Sequence, residues 1–211
     1  MYIPPYNAET ELTTLQEMIA THPLGAWVTL GSAGLTANHI PFLIDRSRGP
    51  YGCLRAHVAR ANPIWRELIA GQESLVIFQG PQSYITPNWY PTHSSSGQVV
   101  PTWNYVLVHA RGIAQVHQDP AWIFKAISDL SEQQEAGQVS PWKVSDAPAD
   151  YIKRLARAVV GIEIPLDSLI GKWKLSQDEA LADRHGTVAG LSAQPDANSQ
   201  ALADLVQSRI P

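Results

Sequence analysis

One short segment, VVPTWNYVLVHARG at residues 99–112, constrains the fold more than any other feature of the sequence. One of its faces carries mostly aromatic and basic side chains, namely Trp103, Tyr105, Leu107, His109 and Arg111. The opposite face carries Asn104 and small apolar side chains, namely Val106, Val108 and Ala110. This strict alternation predicts a β-strand whose small apolar face lies in a core. The face with flat rings and nitrogen donors is then available to a ligand or a partner.

Short apolar segments separated by turns continue this pattern along the chain. Besides the strand at 105–117, strands are predicted at 26–31, 35–45, 51–58, 74–79, 83–86 and 159–165. Turns are predicted at GSAG (31–34), DRSRGP (45–50) and Gly80-Pro81. Most of the links between strands are short, which favours antiparallel pairing.

Helical periodicity is confined to single segments between the strands. These segments lie at 10–20, 62–71, 119–137 and 148–159, followed by two short helices at 177–185 and 197–208. We therefore predict a mainly β, α+β fold, in which a six- or seven-stranded antiparallel sheet forms a closed or half-closed β-barrel with peripheral helices. Residues 1–211 are predicted to form a single domain with a short helical C-terminal extension from about residue 177.

Composition limits the function classes. Charged residues make up only 16% of the chain, below the usual quarter, so we predict a largely neutral surface that is covered in a homodimer. The net charge of −4 lacks the basic footprint of nucleic-acid binding. Cys53 is the single cysteine, which fits a cytoplasmic protein without disulfides. No apolar run approaches membrane-spanning length, and the N-terminus does not resemble a signal peptide.

The first candidate site lies in YGCLRAHVARANPIW at residues 51–65. Arg55, His57 and Arg60 surround a helix predicted to begin at Asn62, and guanidinium groups beside free helix N–H groups suit a phosphate. Alternatively, Asn62-Pro63 is only a helix cap and the arginines are solvated. Taken alone, these residues favour the helix cap.

Two further segments hold unusual residues. The loop at 84–105 is rich in Trp, Tyr, Pro, Ser and Thr, so it either stacks on a planar ligand, with Thr102 and Asn104 near polar ring edges, or lies under a dimer partner. In GKWKLSQ (171–177), Lys172 and Lys174 point to one side, while Trp173 and Leu175 point to the other. By spacing alone this is an amphipathic edge strand. No histidine or cysteine pair has metal-ligand spacing, so we predict no metal site.

Several segments, in the order found here, resemble the PaiB-type family of FMN-binding negative transcriptional regulators. They are HIPFLID (39–45), RAHVARANPIW (55–65), YITPNWYPT (84–92), VPTWNYVLVHARG (100–112), GIEIPLDSLIGKWKLSQ (161–177) and DRHGTVAGL (183–191). The resemblance implies a six-stranded antiparallel FMN-binding split barrel, a flavoprotein that forms a homodimer with FMN at the dimer interface.

The resemblance also implies the roles of individual residues. Arg60 and Asn62, with Arg55 and His57 nearby, are expected to take the FMN phosphate. The flavin ring is expected near Thr102, Trp103 and Asn104, with Lys172 and Trp173 approaching from the last strand. These nine residues are the predicted cofactor-binding set.

Three functions follow, and they stay open at the level of sequence. The first is a flavin-binding transcriptional regulator, for which the negative charge gives direct DNA binding little support. The second is an FMN-dependent oxidoreductase of the pyridoxamine-phosphate-oxidase-like superfamily, in which the cofactor carries the redox chemistry. The third is a haem-binding or haem-degrading split-barrel protein with His39, His57 or His109 as an axial ligand.

Overall fold

The computed structural model describes residues 1–32 and 34–211, without the side chain of Ser96. The strands are β1 Ala8–Glu9, β2 Leu24–Gly31, β3 Gly34–Pro41, β4 Leu43–Asp45, β5 Cys53–Ala59, β6 Glu73–Ile85, β7 Thr102–Ile113, β8 Gln115–His117 and β9 Val159–Lys174. The helices are α1 Leu12–Thr21, α2 Ile64–Glu67, α3 Pro91–Ser96, α4 Pro120–Glu135, α5 Ala149–Arg157, α6 Leu181–Ser192 and α7 Ala197–Gln207. None of these helices is long and apolar enough to cross a bilayer.

The strands form one sheet in the order β3-β2-β6-β7-β9-β5-β4, with β1 and β8 also paired to β9. The ladders of β2 with β3 and of β5 with β9 are antiparallel. The predicted class, a mainly antiparallel sheet with peripheral helices, is therefore confirmed. Over the described residues the sheet has nine strands, and no ladder joins its two ends, β3 and β4. The sequence predicted seven strands. Those at 35–45 and 105–117 each cover two observed strands, those at 74–79 and 83–86 both belong to β6, and the two-residue strand β1 was missed because it gives no periodic signal.

Three local predictions differ from the structure. The Gly80-Pro81 pair lies inside β6 instead of turning the chain, because the fixed φ of proline suits an extended strand as well as a turn. The helix predicted at 62–71 is only α2, because Leu68 already has extended backbone angles. The helix predicted at 177–185 is α6, which begins at Leu181. The predicted turn at 31–34 falls partly outside the described residues.

The chain folds into two compact units. The central unit, residues 12–78 and 109–169, has a core of aromatic and branched side chains: Trp27, Phe42, Leu54, Phe78, Ile123 and Ile162. The rings of Phe42 and Phe78 meet edge to face, with their centroids 5.8 Å apart. Helix α4 is capped as its sequence predicts, because the Asp119 carboxylate accepts a hydrogen bond from the backbone N–H of Trp122.

The terminal unit comprises residues 1–11, 79–108 and 170–211. Helices α6 and α7 bury Leu191 and Leu202 in its core. The start of α7 is joined to β6, since Asn198 Nδ2 donates to the carbonyl of Gln82 at 2.5 Å and Asn198 Oδ1 accepts from the Gln82 N–H at 3.1 Å. The two C-terminal helices are thus packed parts of this unit.

Candidate functional site

Arg55, one of the predicted phosphate ligands, is engaged by a carboxylate of the central unit. Its Nη1 donates to Asp129 Oδ2 at 2.7 Å, and Lys125 donates to the same carboxylate. Burial by itself raises the pKa of Asp129, but the hydrogen bonds from Lys125 and Arg55 outweigh it and hold this pKa below its usual value. The guanidinium of Arg55 is therefore already neutralised by a carboxylate that stays ionised.

Arg60, the second predicted phosphate ligand, is anchored by neutral oxygens. Its Nε donates to the carbonyl of Arg157 at 2.9 Å, its Nη1 to Gln118 Oε1 at 2.8 Å and its Nη2 to the carbonyl of Val159 at 3.0 Å. These bonds attach the loop after β5 to the junction of α5 and β9. They hold the guanidinium in place without cancelling its charge.

Asn62 and His57 complete the predicted set in the central unit. Asn62 Oδ1 accepts from the N–H of Ile64 at 3.1 Å, and Asn62 Nδ2 donates to Asn38 Oδ1 at 2.8 Å. Helix α2 has only four residues and so offers little dipole, which leaves the predicted anion site at its start without this support. Burial lowers the pKa of His57, so its imidazole is neutral at pH 7.

In the terminal unit, β7 presents the aromatic face that its alternation predicts. Tyr84 and Trp103 are each about half exposed, and their rings meet edge to face with centroids 6.3 Å apart. Lys174 Nζ donates to Thr102 Oγ1 and, at 2.9 Å, to the carbonyl of Trp103. Lys174 therefore fixes the start of β7, and the two rings remain open to a flat ligand.

Asn104 lies on the other face of β7 and is fully buried. Its Nδ2 donates to Ser176 Oγ at 2.9 Å, and Ser176 has a left-handed φ of 60°. Strand alternation turns the Asn104 side chain into the core, so its burial gives no support to the predicted contact with a flavin edge, which stays a prediction. Asn104 holds a strained turn after β9.

We expect Asn104→Ala to destabilise the protein by about 1–2 kcal/mol, because it leaves the buried hydroxyl of Ser176 without this partner and removes a support of the positive φ. Urea unfolding of the variant measures the loss. Ser176→Gly in the Asn104→Ala background should recover part of it, since glycine adopts this φ without strain. An unchanged midpoint in Asn104→Ala would contradict this role.

Lys172 and Trp173, neighbours on β9, have different surroundings. Trp173 is buried, with 3% of its surface exposed, so its ring belongs to the core. Its contact with the flavin stays a prediction. Lys172 is also largely buried. Its Nζ lies 5.2 Å from the ring centroid of Tyr105 and 5.9 Å from that of Tyr2, within cation–π range. Among the described residues, no carboxylate forms an ion pair with it.

The 84–92 segment is held in place by contacts with α6, and the sequence did not predict these contacts. Thr92 donates to Asp183 through its N–H at 3.1 Å and through its hydroxyl at 2.6 Å. A Cβ on Gly186 would overlap the carbonyl oxygen of Trp89, and a Cβ on Gly190 would overlap its indole ring. One sequence signal could have indicated this contact. Gly186 and Gly190 are four residues apart and lie on the same face of a helix, where the lack of side chains allows another segment to pack closely.

The residues around Lys172 fit an anionic ligand with a flat ring. Lys172 is largely buried as a residue and forms no ion pair with a described carboxylate, so an anion at its ammonium group would stabilise it. Tyr105 lies beside it, and Tyr84 and Trp103 present half-exposed rings elsewhere in the same unit. The sequence missed the contribution of Tyr2, because nothing local in the chain links residue 2 to β9. Across the described residues, no group of three or more His, Cys, Asp or Glu side chains could hold a metal ion.

The fold places the chain among mainly antiparallel β-sheet proteins with peripheral helices. The model of the family described as "Putative FMN-binding domain" matches residues 1–168, and the chain belongs to this family. The predicted resemblance is thereby confirmed, and FMN is the cofactor that this family's description names. Lys172 lies four residues beyond the matched range.

Individual relatives extend the likeness over the whole chain. An uncharacterized protein of Emericella nidulans is 34% identical over 99% of this chain and 97% of its own length. The protease synthase and sporulation protein PAI 2 of Bacillus subtilis is 27% identical over 100% of this chain and 98% of its own. The structure of the FAD and heme binding protein from Mycobacterium smegmatis aligns with a TM-score of 0.59 and 15% identity, covering 80% of this chain and 73% of that one, which shows a common fold.

Proposed function

We propose that this protein binds FMN, with Lys172 as the partner of the phosphate and the exposed rings of Tyr84 and Trp103 as the surface for the flavin. The observation that carries the proposal is the largely buried Lys172 side chain, whose Nζ lies 5.2 Å from the ring centroid of Tyr105 and which, among the described residues, forms no ion pair with a carboxylate. A phosphate would supply the missing negative charge. Membership of an FMN-binding family agrees with this chemistry.

Bound FMN would supply one- and two-electron transfer, and the chain's own residues supply binding and orientation. Lys172 has little contact with water, so its attraction to an anion is screened less than that of a surface lysine. Lys174 keeps Thr102 and Trp103 in position through its hydrogen bonds. The Asp183–Thr92 contact in turn holds the preceding loop against α6.

We expect Lys172→Met to weaken FMN binding about tenfold, because it removes the cation and keeps the aliphatic stem. Titration of the apoprotein with FMN, followed by flavin fluorescence, measures the dissociation constant. Lys125→Met, on an exposed face of the central unit, is the matched control and should leave the constant unchanged. If wild-type protein takes up no FMN at all, the proposed function itself fails.

Arg60→Ala separates the two candidate phosphate partners. The family resemblance implies that this variant loses roughly 1.5–3 kcal/mol of FMN affinity. We expect it mainly to lower the unfolding midpoint, because the guanidinium joins three segments of the central unit. Affinity must be compared at equal folded fraction. If Arg60→Ala binds FMN weakly and Lys172→Met binds it normally, Arg60 and not Lys172 is the partner of the FMN phosphate.

The regulatory role is a finer proposal. It is supported by the PaiB-type resemblance and by the full-length similarity to a protein named for protease synthesis and sporulation. The net charge of −4 argues against a large phosphate footprint, so we expect no gel shift with the upstream region of its own gene at about 150 mM salt and micromolar protein. A shift that weakens steeply with salt would establish direct DNA binding.

Two alternatives have distinct tests. Anaerobic titration of the FMN-loaded protein with NADH and NADPH distinguishes an oxidoreductase, in which the flavin is bleached, from a binding protein, in which it stays oxidised. A haem-binding protein requires a Soret band that is lost in a histidine variant, with His57 and His109 as first choices because burial lowers the pKa of each. The expected homodimer is tested by light scattering after gel filtration.

A further inference from the structure

A cavity of about 570 Å³ lies in the central unit, where the start of α4 faces α5 and the loop after β5. Its size is that of a small-molecule site. Most of its wall is apolar, including Pro120, Ala121, Ile123, Phe124 and Ala156, and the other lining residues are Arg60, Gln118, Lys153 and Arg157. None of these described lining residues is acidic.

Two positively charged side chains of the cavity wall, those of Lys153 and Arg157, lie close enough to repel each other, so an anion between them would stabilise both. Lys153 and Arg157 are four residues apart on α5, so they share one face, and like charges at this spacing destabilise a helix. The only ion pair of Lys153 over the described residues is a 3.9 Å contact with Asp150, in which both side chains are largely exposed. Such a pair offsets little of the charge.

Arg60 contributes a third positive charge that is fixed in position. All its hydrogen bonds go to neutral oxygens, those of Arg157, Val159 and Gln118. The hydrogen bond from Arg60 also orients the Gln118 amide. The amide oxygen accepts from Arg60, so the NH₂ group is the part of Gln118 that can donate to a ligand. The wall is therefore preorganised for a negative charge beside an apolar surface.

We propose that this cavity binds an amphiphilic carboxylate, with the carboxylate at Lys153, Arg157 and Gln118 and the apolar body against Ile123 and Phe124. A simple inorganic anion leaves the apolar wall in water, and an uncharged apolar molecule brings no negative charge to Arg60 and Arg157. The cationic and apolar parts of the wall together favour a ligand with a negatively charged group and an apolar body. The residues of this site are different from those of the flavin surface proposed for the terminal unit.

Isothermal titration of the full chain with decanoate tests the proposal. We expect saturable binding of decanoate, weaker binding of decanol, no competition from inorganic phosphate at equal concentration, and no change when FMN is saturating. Ala121→Trp fills the cavity at an exposed helix position and should abolish binding, with circular dichroism and the unfolding midpoint as checks on folding.

The decisive comparison uses two arginines in the last turn of α5. Arg157→Gln should weaken decanoate binding about tenfold, while Arg154→Gln, outside the cavity and over the ring of Tyr151, should change it by less than about twofold. Both variants remove one exposed charge from the same turn of the helix. The proposal fails if the full chain does not bind decanoate, if it binds decanol equally well, or if Arg157→Gln and Arg154→Gln lose the same affinity. Displacement of decanoate by FMN would also overturn it and would assign the cavity to the flavin.

Discussion

Gly186→Ala should destabilise the protein by about 2–4 kcal/mol, although the same change in an ordinary helix stabilises it by up to about 1 kcal/mol. The sign reverses because a Cβ at position 186 would overlap the backbone carbonyl oxygen of Trp89. Backbone cannot rotate away as a side chain can, so α6 or the 84–92 segment has to move. Urea unfolding followed by circular dichroism measures the change.

Two further glycines make this prediction specific. Gly190→Ala meets the indole ring of Trp89, which can tilt, so its cost should be smaller than that of Gly186→Ala. Gly137→Ala has nothing within 4 Å of its new Cβ and should be close to neutral. A stabilised Gly186→Ala variant would show that α6 does not pack on Trp89 in this way.

Arg48→Met should cost about 2 kcal/mol at pH 7, because it leaves the buried carboxylate of Glu163 without its main partner. Arg48 Nη1 and Nη2 donate to the two oxygens of Glu163 at 2.6 and 2.8 Å. The expected loss is below the roughly 3–5 kcal/mol of a fully buried pair, since Arg48 is half-exposed and His117 Nε2 remains 3.8 Å from Glu163. Arg46→Met, which breaks an exposed pair with Glu17, should cost less than about 0.5 kcal/mol.

The cost of Arg48→Met should also depend on pH. The hydrogen bonds from Arg48 hold the pKa of Glu163 below its usual value, although burial opposes them. A lowered folded-state pKa contributes stability that is present above the unfolded-state value, about 4.3, and is lost as the pH falls through the folded-state value. The stability difference between wild type and Arg48→Met should therefore be largest near pH 7 and shrink below about pH 4. A difference that stays constant with pH would exclude the carboxylate as its source.

The sequence predicted the elements that carry their own periodic signal. The alternation of β7 is confirmed residue by residue in its burial pattern, and the cap of α4 follows from Asp119-Pro120. Helix α2 shows the limit of such local signals, because a suitable start at Asn62-Pro63 does not say where tertiary packing ends the helix. The two-residue strand β1 exists only through its pairing with β9, so it could not be predicted. The residues of β4 and β8 were predicted as strand, but as continuations of β3 and β7.

The candidate site residues also include some features that the sequence could predict and some that it could not. The family resemblance pointed to Lys172, Thr102 and Trp103, and their roles toward a flavin stay predictions. The sequence could not show that Trp173 and Asn104 are buried or that Arg55 and Arg60 are bonded within the protein. The hydrogen bond between Arg55 and Asp129 joins residues 74 positions apart in the chain. A pattern of neighbouring residues cannot predict a contact between residues so far apart in sequence.

By itself, the sequence determined the antiparallel strands, most of the helices and the membership of an FMN-binding family, because these depend on periodicity and motifs of neighbouring residues. Only the tertiary structure decided which cations have no ion pair among the described residues: Lys172 beside its tyrosines, and Arg60 and Arg157 at the apolar cavity. The physical reason is that a charge is compensated by whatever lies within a few ångströms, and in this fold those neighbours come from distant parts of the chain.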